Sequence, residues 1–316
     1  MQRLPNDDMV RPSVASSDAA TSTAALALMI AGVCDAAAVC RLLRNLPSTA
    51  TPEAVLNEAG VMRAAVNGSF AQAHVLVARG LEAGIEAIPL CSTRYPAWLR
   101  LLPDAPPILY LRGNLAAIAA RPSVAVVGTR RATPNGQAIA QRLGAYLSSQ
   151  GWCVVSGLAA GIDAAAHAGA LECGQPTVAV LAHGLDRAPP RSIAPLAQQI
   201  LEQAGAWVSE HPHGAHTRDE HEVLSKRIQV GLAAGSVVVE GPAKSATLSH
   251  ANFCLRERRA LFAVVPQGIP TQSQLPRSLV DRGAQVIRSR DDYSTLLSAL
   301  AKASDALGAS SRGLAS

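Results

Sequence analysis

The chain has 316 residues, of which 49% are hydrophobic and 16% charged, the composition of a folded protein and a length suited to roughly two domains. Lys plus Arg exceed Asp plus Glu by 28 − 23 = +5, a mild excess that permits an anionic partner without demanding one. Aromatic residues make up only 3%, which argues against nucleic-acid modules that stack bases on an aromatic sheet.

Residues 1–22 are rich in Ser, Thr, Ala and Asp with little periodicity, and read as a flexible tail. Residues 23–88 are Ala- and Leu-rich with breaks at Pro47, Ser48, Pro52, Gly60 and Gly68, which predicts a small helical domain. A proline-punctuated connector follows, with Tyr95-Pro96, Pro106-Pro107 and the apolar segment 108–113. Short β-branched runs then recur at 123–128, 152–157, 177–184, 206–210, 236–240 and 261–266, most of them separated by helical patterns. Continuous apolar strands joined through helices predict a doubly wound α/β sheet, mostly parallel and buried on both faces. One more helix and a short tail fill 291–316.

The six cysteines form no CxxC pair and read as reduced thiols. The least polar stretch, 24–34, is far short of the about 20 residues of a membrane span. Some twenty polar residues precede it where a signal peptide would have a brief positive segment. The expectation is a soluble, cytoplasmic protein with no membrane contact.

Ligands of such sheets sit where strand ends lead into helices. The first strand of the α/β region runs into Gly128-Thr129-Arg130-Arg131 and then Thr133-Pro134. Glycine there lets backbone approach a ligand, the helix start favours an anion and the arginines add charge. Neither GxxxxGK[ST] nor GxGxxG is present, so an ordinary strand-to-helix turn with solvated arginines stands beside the phosphate site. The second strand ends in Ser156-Gly157, and Gly161 precedes Asp163 and His167, four residues apart on one helix face. These two suit an acid/base pair, or a purely structural role; no nucleophile accompanies them, which favours the structural role. His211, His213, His216 and His221 could hold Zn²⁺, but the absence of nearby cysteine, with Pro212 and Gly214, favours a polar loop over a metal site.

The run from Ser156 to Leu171, SGLAAGIDAAAHAGAL, resembles the signature of the DprA/Smf family, the DNA-processing proteins of bacterial transformation. Gly184-Leu185-Asp186, Ser209-Glu210, Gly231-Leu232, Val239-Glu240, Thr247-Leu248, Arg259 and Gly283-Ala284 follow in the family's order, and the segments around Tyr95-Pro96 and Arg112-Gly113-Asn114 match its lead-in. The resemblance implies an extended Rossmann-like domain over 89–290 and is compatible with a sterile-alpha-motif-like domain over 23–88. It also implies a homodimer that binds single-stranded DNA and helps load the RecA recombinase, with neither catalysis nor a cofactor. With the loop reading it gives a DNA phosphate-binding set of Gly128, Thr129, Arg130, Ser156, Gly157, Gly161, Arg191, Lys226, Arg227 and Lys244, and leaves Asp163 and His167 structural.

The sequence departs from the family pattern near that site. Ser225-Lys226-Arg227 stands for Arg-Asn-Arg, Ala246 for a glycine, His250 for threonine, Pro189 for tyrosine and Ile193 for asparagine, and Gln267 is inserted. A positive φ at Ala246 would be strained. The expectation is a divergent member with weakened or altered binding. Two other readings use the same loops: a nucleoside-monophosphate glycosidase, whose glycine run and following acid are missing from 241–248, and a small-nucleotide sensor.

Overall fold

The computed structural model describes residues 14–187, 189–243, 245–266 and 274–313. The amino-terminal part holds α1 (Val14–Ile30), α2 (Ala36–Asn45), α3 (Pro52–Glu58) and α4 (Asn67–Glu82), followed by β1 (Ile85–Pro89), α5 (Ala97–Arg100), β2 (Ile108–Gly113) and α6 (Ala116–Ala119). Alternation then sets in with β3 (Ser123–Val127), α7 (Pro134–Ser149), β4 (Cys153–Ser156), α8 (Ile162–Glu172), β5 (Thr177–Val180), α9 (Ala194–Glu202) and β6 (Ala206–Ser209). It continues through α10 (Asp219–Leu232), β7 (Gly235–Val238), α11 (Ala246–Arg256), β8 (Ala260–Val264), α12 (Gln274–Val280), β9 (Gln285–Ile287) and α13 (Tyr293–Gly313). Helix starts follow the local chemistry: Asp35 caps α2 by accepting from the Ala38 N–H, and Thr51-Pro52 and Thr133-Pro134 open α3 and α7 in the same way.

The nine strands among the described residues form one sheet in the order β1-β2-β6-β5-β4-β3-β7-β8-β9. β1 and β2 pair antiparallel, as do β2 and β6, and every other pairing is parallel. This is the expected doubly wound, mostly parallel α/β architecture. Alternate residues of β3 serve opposite layers: Val124 and Val126 pack with α7 and α8, while Ala125 and Val127 pack with Val230, Ala251 and Leu279. A strand buried on both faces reads as an unbroken apolar run.

Domain boundaries differ from those the composition suggests. α1 begins at Val14, and its Thr21 hydroxyl donates to Ala50 O at 2.6 Å while Ser22 Oγ donates to Ala87 O at 3.2 Å. Buried Asp18 pairs with Arg94 at 3.3 Å. Hydroxyls that make a segment look like a tail here tie α1 to the α2–α3 loop and to β1, so a tail to residue 22 is corrected; residues 1–13 lie outside the described part. The boundary expected at 88 cuts through β1, and one apolar cluster runs without a break from Leu28 and Leu43 through Ile88 and Leu109 to Val178 and Ile228. The helical part therefore shares its core with the sheet. Among the described residues no helix is long and apolar enough to cross a membrane.

Candidate functional site

The strand order reverses direction at β3, which is flanked by β4 on one side and β7 on the other. A crevice opens at the carboxyl ends of the strands at such a point. Three loops converge there: 128–133 after β3, 157–161 after β4 and 239–243 after β7. They interlock through main chain, the Thr129 N–H donating to Glu240 O at 2.8 Å and the Ile162 N–H to Thr129 O at 3.3 Å. Two glycines make this closeness possible. A Cβ on Gly128 would lie 2.7 Å from Glu240 O, and Gly161, at φ +86°, would drive one into the Thr129 carbonyl.

Two hollows open among these loops and α10. The smaller, of about 290 Å³, lies between the β3 and β7 loops and is lined by Arg130, Arg131, Ser245, Thr247 and His250 among others. The larger, of about 570 Å³, lies toward β5 and is walled by Leu158, Val180, Leu181, Pro189, Pro190 and Ile193, with His183 and Arg187. Arg130, Ala159, Asp163, Glu222 and Lys226 line both and so form the ridge between them. On that ridge Arg130 Nη2 donates to Glu222 Oε1 at 2.6 Å, which holds the guanidinium pKa up. Below it Asp163 is buried. Burial raises its carboxyl above the usual range, against the opposing pull of Lys226, the Ser156 hydroxyl, the Gly128 amide and Arg130. In the smaller hollow Ser245 Oγ and His250 Nδ1 have no partner among the described residues, and burial, reinforced by Lys226, pushes the His250 pKa down to about 3.

The structure brings Gly128, Thr129, Arg130, Gly157 and Lys226 together around these hollows. Other expectations are corrected. Ser156 is fully buried and spends its hydroxyl on Val126 O at 2.7 Å, tying β4 to β3. Arg227 points into the protein, where both ends of its guanidinium bind Glu210, so it is a core ion pair and not a phosphate ligand. Arg191 is exposed outside the hollows, because its turn lays Pro189, Pro190 and Ser192 on the wall instead. Lys244 lies outside the described residues, as does Gln267. The anion expected at the start of α7 is supplied from within: Glu240 Oε2 accepts from the Thr133 N–H at 2.9 Å and from its hydroxyl at 3.2 Å.

His167 is buried, with Nε2 2.7 Å from Gly157 O and Nδ1 2.8 Å from Thr177 Oγ1. Burial lowers its pKa to about 4, so the neutral ring donates to the Gly157 carbonyl and fixes the loop above it. Ala246 opens α11 without strain; Ala204 and Arg258 are the non-glycine residues at positive φ among those described. His250 fills a buried position with Nε2 2.9 Å from Ser236 Oγ. His211 and His221 stack with ring centroids 3.9 Å apart, and no three His, Cys, Asp or Glu among the described residues are grouped to hold a metal. Arg259 is buried and donates to Trp98 O at 3.0 Å, not to solvent.

Sequence reasoning missed Glu222. Its signal was its place four residues before Lys226, which puts both on one face of a helix. The partner that this face meets, Arg130, is 92 residues away in sequence.

The family model of DNA recombination-mediator protein A matches residues 86–298. The chain belongs to this family. It is 33% identical to the DNA processing protein DprA of Bacillus subtilis over 211 residues, 67% of this chain and 71% of that one. It is 35% identical to the protein Smf of Escherichia coli over 206 residues, 65% of this chain but only 54% of the relative. Among solved structures, DprA from Streptococcus pneumoniae superposes with a TM-score of 0.68 at 26% identity, covering 85% of this chain and 95% of the other. DprA from Helicobacter pylori, described for its single-stranded DNA binding mode, gives 0.59 at 27% identity over 64% of this chain and 93% of the other. The family match spans β1 to α13, so the amino-terminal helices α1–α4 lie before it.

Proposed function

We propose that this family member binds single-stranded DNA in the crevice at the ends of β3, β4 and β7, with Arg130 and Lys226 as phosphate ligands. One observation carries the reading: two cationic side chains from different elements line both hollows of an open crevice at the switch point of a doubly wound sheet. The described binding mode of the Helicobacter pylori relative supports it. Neither hollow is lined by Phe, Tyr or Trp among the described residues, so affinity rests on the backbone and is sequence-tolerant and salt-sensitive. The protein then acts as a mediator in DNA uptake and recombination, as a homodimer that passes the strand to the RecA recombinase, a role that family membership supports.

The test is a titration of labelled poly-dT at several salt concentrations. Arg130→Ala and Lys226→Ala should each weaken binding and reduce the slope of log K against log salt by about 0.7 per lost contact. Unchanged affinity in both, or no shift of poly-dT at low salt with micromolar protein, would overturn the reading. Sedimentation alone and with RecA examines the assembly.

A further inference from the structure

The partition between the two hollows is itself an ion pair. Arg130 is largely exposed, its side chain 64% accessible, and the Glu222 carboxylate on it is 34% accessible. A carboxylate bound end-on to a guanidinium occupies the place and offers the charge of a phosphate oxygen. Lys226 stands one helical turn beyond Glu222 and faces both hollows as well. The hollows on either side differ in character. One has aliphatic and prolyl walls. The other is smaller and is lined by Ser245 and wholly buried His250, whose Oγ and Nδ1 have no partner among the described residues. Unsatisfied polar groups in a buried wall are costly unless a ligand or water meets them.

We infer that the unit recognised here is a dinucleotide step, whose bridging phosphate displaces the Glu222 carboxylate from Arg130 while the two flanking nucleosides enter the two hollows. The inference rests on the single-stranded DNA reading and adds to it the size of the unit and a built-in competitor. Displacing Glu222 removes the partition, so that the hollows join into one groove long enough for two nucleosides. Lys226 then offsets the charge that the phosphate shares with the freed carboxylate. A mononucleotide fills one hollow at most. Its terminal phosphate carries more charge than a bridging one, so a site that read phosphate charge alone would prefer the mononucleotide.

The experiment is competition against labelled dT20 by unlabelled dTpdT, 5′-TMP and 3′-TMP, measured by fluorescence anisotropy. The dinucleotide should displace the probe at concentrations at least about tenfold below either mononucleotide. Glu222→Gln should tighten dTpdT by roughly two- to fivefold, the range of an exposed ion pair. Glu220→Gln removes the same charge two residues earlier on α10, roughly 200° around the helix and outside the lining of either hollow, and should do less. Ala246→Phe in one hollow or Ser192→Phe in the other, both at exposed positions, should erase the dinucleotide's advantage. If dT20 binds but dTpdT competes no better than TMP, or if Glu220→Gln matches Glu222→Gln, the inference falls and the DNA reading stands. If dT20 itself does not bind, both fall.

Discussion

Arg227 holds Glu210 with both ends of its guanidinium, Nη1 donating to Oε1 at 2.7 Å and Nη2 to Oε2 at 2.6 Å. Its Nε donates in addition to the Asp104 carbonyl at 3.0 Å. The pair fastens α10 to the end of β6 and to the segment before β2, with the Arg227 side chain only 7% exposed. One residue earlier on the same helix, Lys226 faces the crevice. The buried pair therefore sets the height and rotation at which Lys226 and Glu222 are presented.

Removing one member of such a pair strands the other charge. Arg227→Ala should cost about 3–5 kcal/mol of unfolding free energy in a urea titration, whereas replacing Arg227 and Glu210 together by methionine should recover much of that loss. A single alanine variant within about 0.5 kcal/mol of the native protein would contradict this picture.

Stability should fall as the solution is acidified through the histidine range. The pKa values of His167 and His250 are held by burial at about 4 and about 3, against about 6.5 in an unfolded chain. Below pH 6.5 the unfolded state takes up protons that the folded state refuses. The stability contributed by each neutral ring is thus complete above pH 6.5, and declines down to about pH 4 for His167 and about pH 3 for His250. At pH 4.5 the loss is roughly 2–3 kcal/mol per histidine. Asp163 and Asp18, raised by burial, act in the opposite sense at the acid end. Urea midpoints between pH 7.5 and 4.5 should drop steadily for the native protein and more gently for His167→Asn; parallel profiles would refute the assignment.

Gly161→Ala should damage both stability and binding. The new methyl group meets the Thr129 carbonyl at a left-handed backbone position, so a cost above about 1 kcal/mol is expected. Because the contact is with the β3 loop, Arg130 should shift with it and poly-dT affinity should weaken. Native-like denaturation together with native-like affinity would show that the loops can separate freely.

Much of the fold was legible in the chain. The six β-branched runs became β3 to β8 because a strand covered on both faces needs no polar residue, and an apolar run of that length between helices has few other uses. β1, β2 and β9 carry no strand signal of their own in the sequence. β1 is IEAIP, short and ending in proline, β2 lies in a proline-punctuated connector, and β9 has three residues; pairing with neighbours, not composition, makes each of them a strand. The amino-terminal boundary is hidden for a related reason: Thr21 and Ser22 look solvated until the carbonyls of Ala50 and Ala87 are brought against them.

Sequence alone determined that the loops after β3 and β4 come close together at the strand ends, because glycine and small residues there mark close approach and because alternation of strand and helix makes the sheet parallel; the order of the strands came from the structure. The sequence singled out Arg130 and Lys226, which the structure brings to one crevice. What it could not determine was which cations remain free. Arg227 and Lys226 are adjacent in the chain, yet one is locked to Glu210 and the other lines the crevice, since the roughly 100° turn between successive helical residues sends them to different surroundings. Glu240 filling the start of α7, and Glu222 resting on Arg130, are likewise contacts between residues about a hundred positions apart. Local patterns carry no information about such partners; only the packing of β7 beside β3 and of α10 across their ends brings those charges within reach.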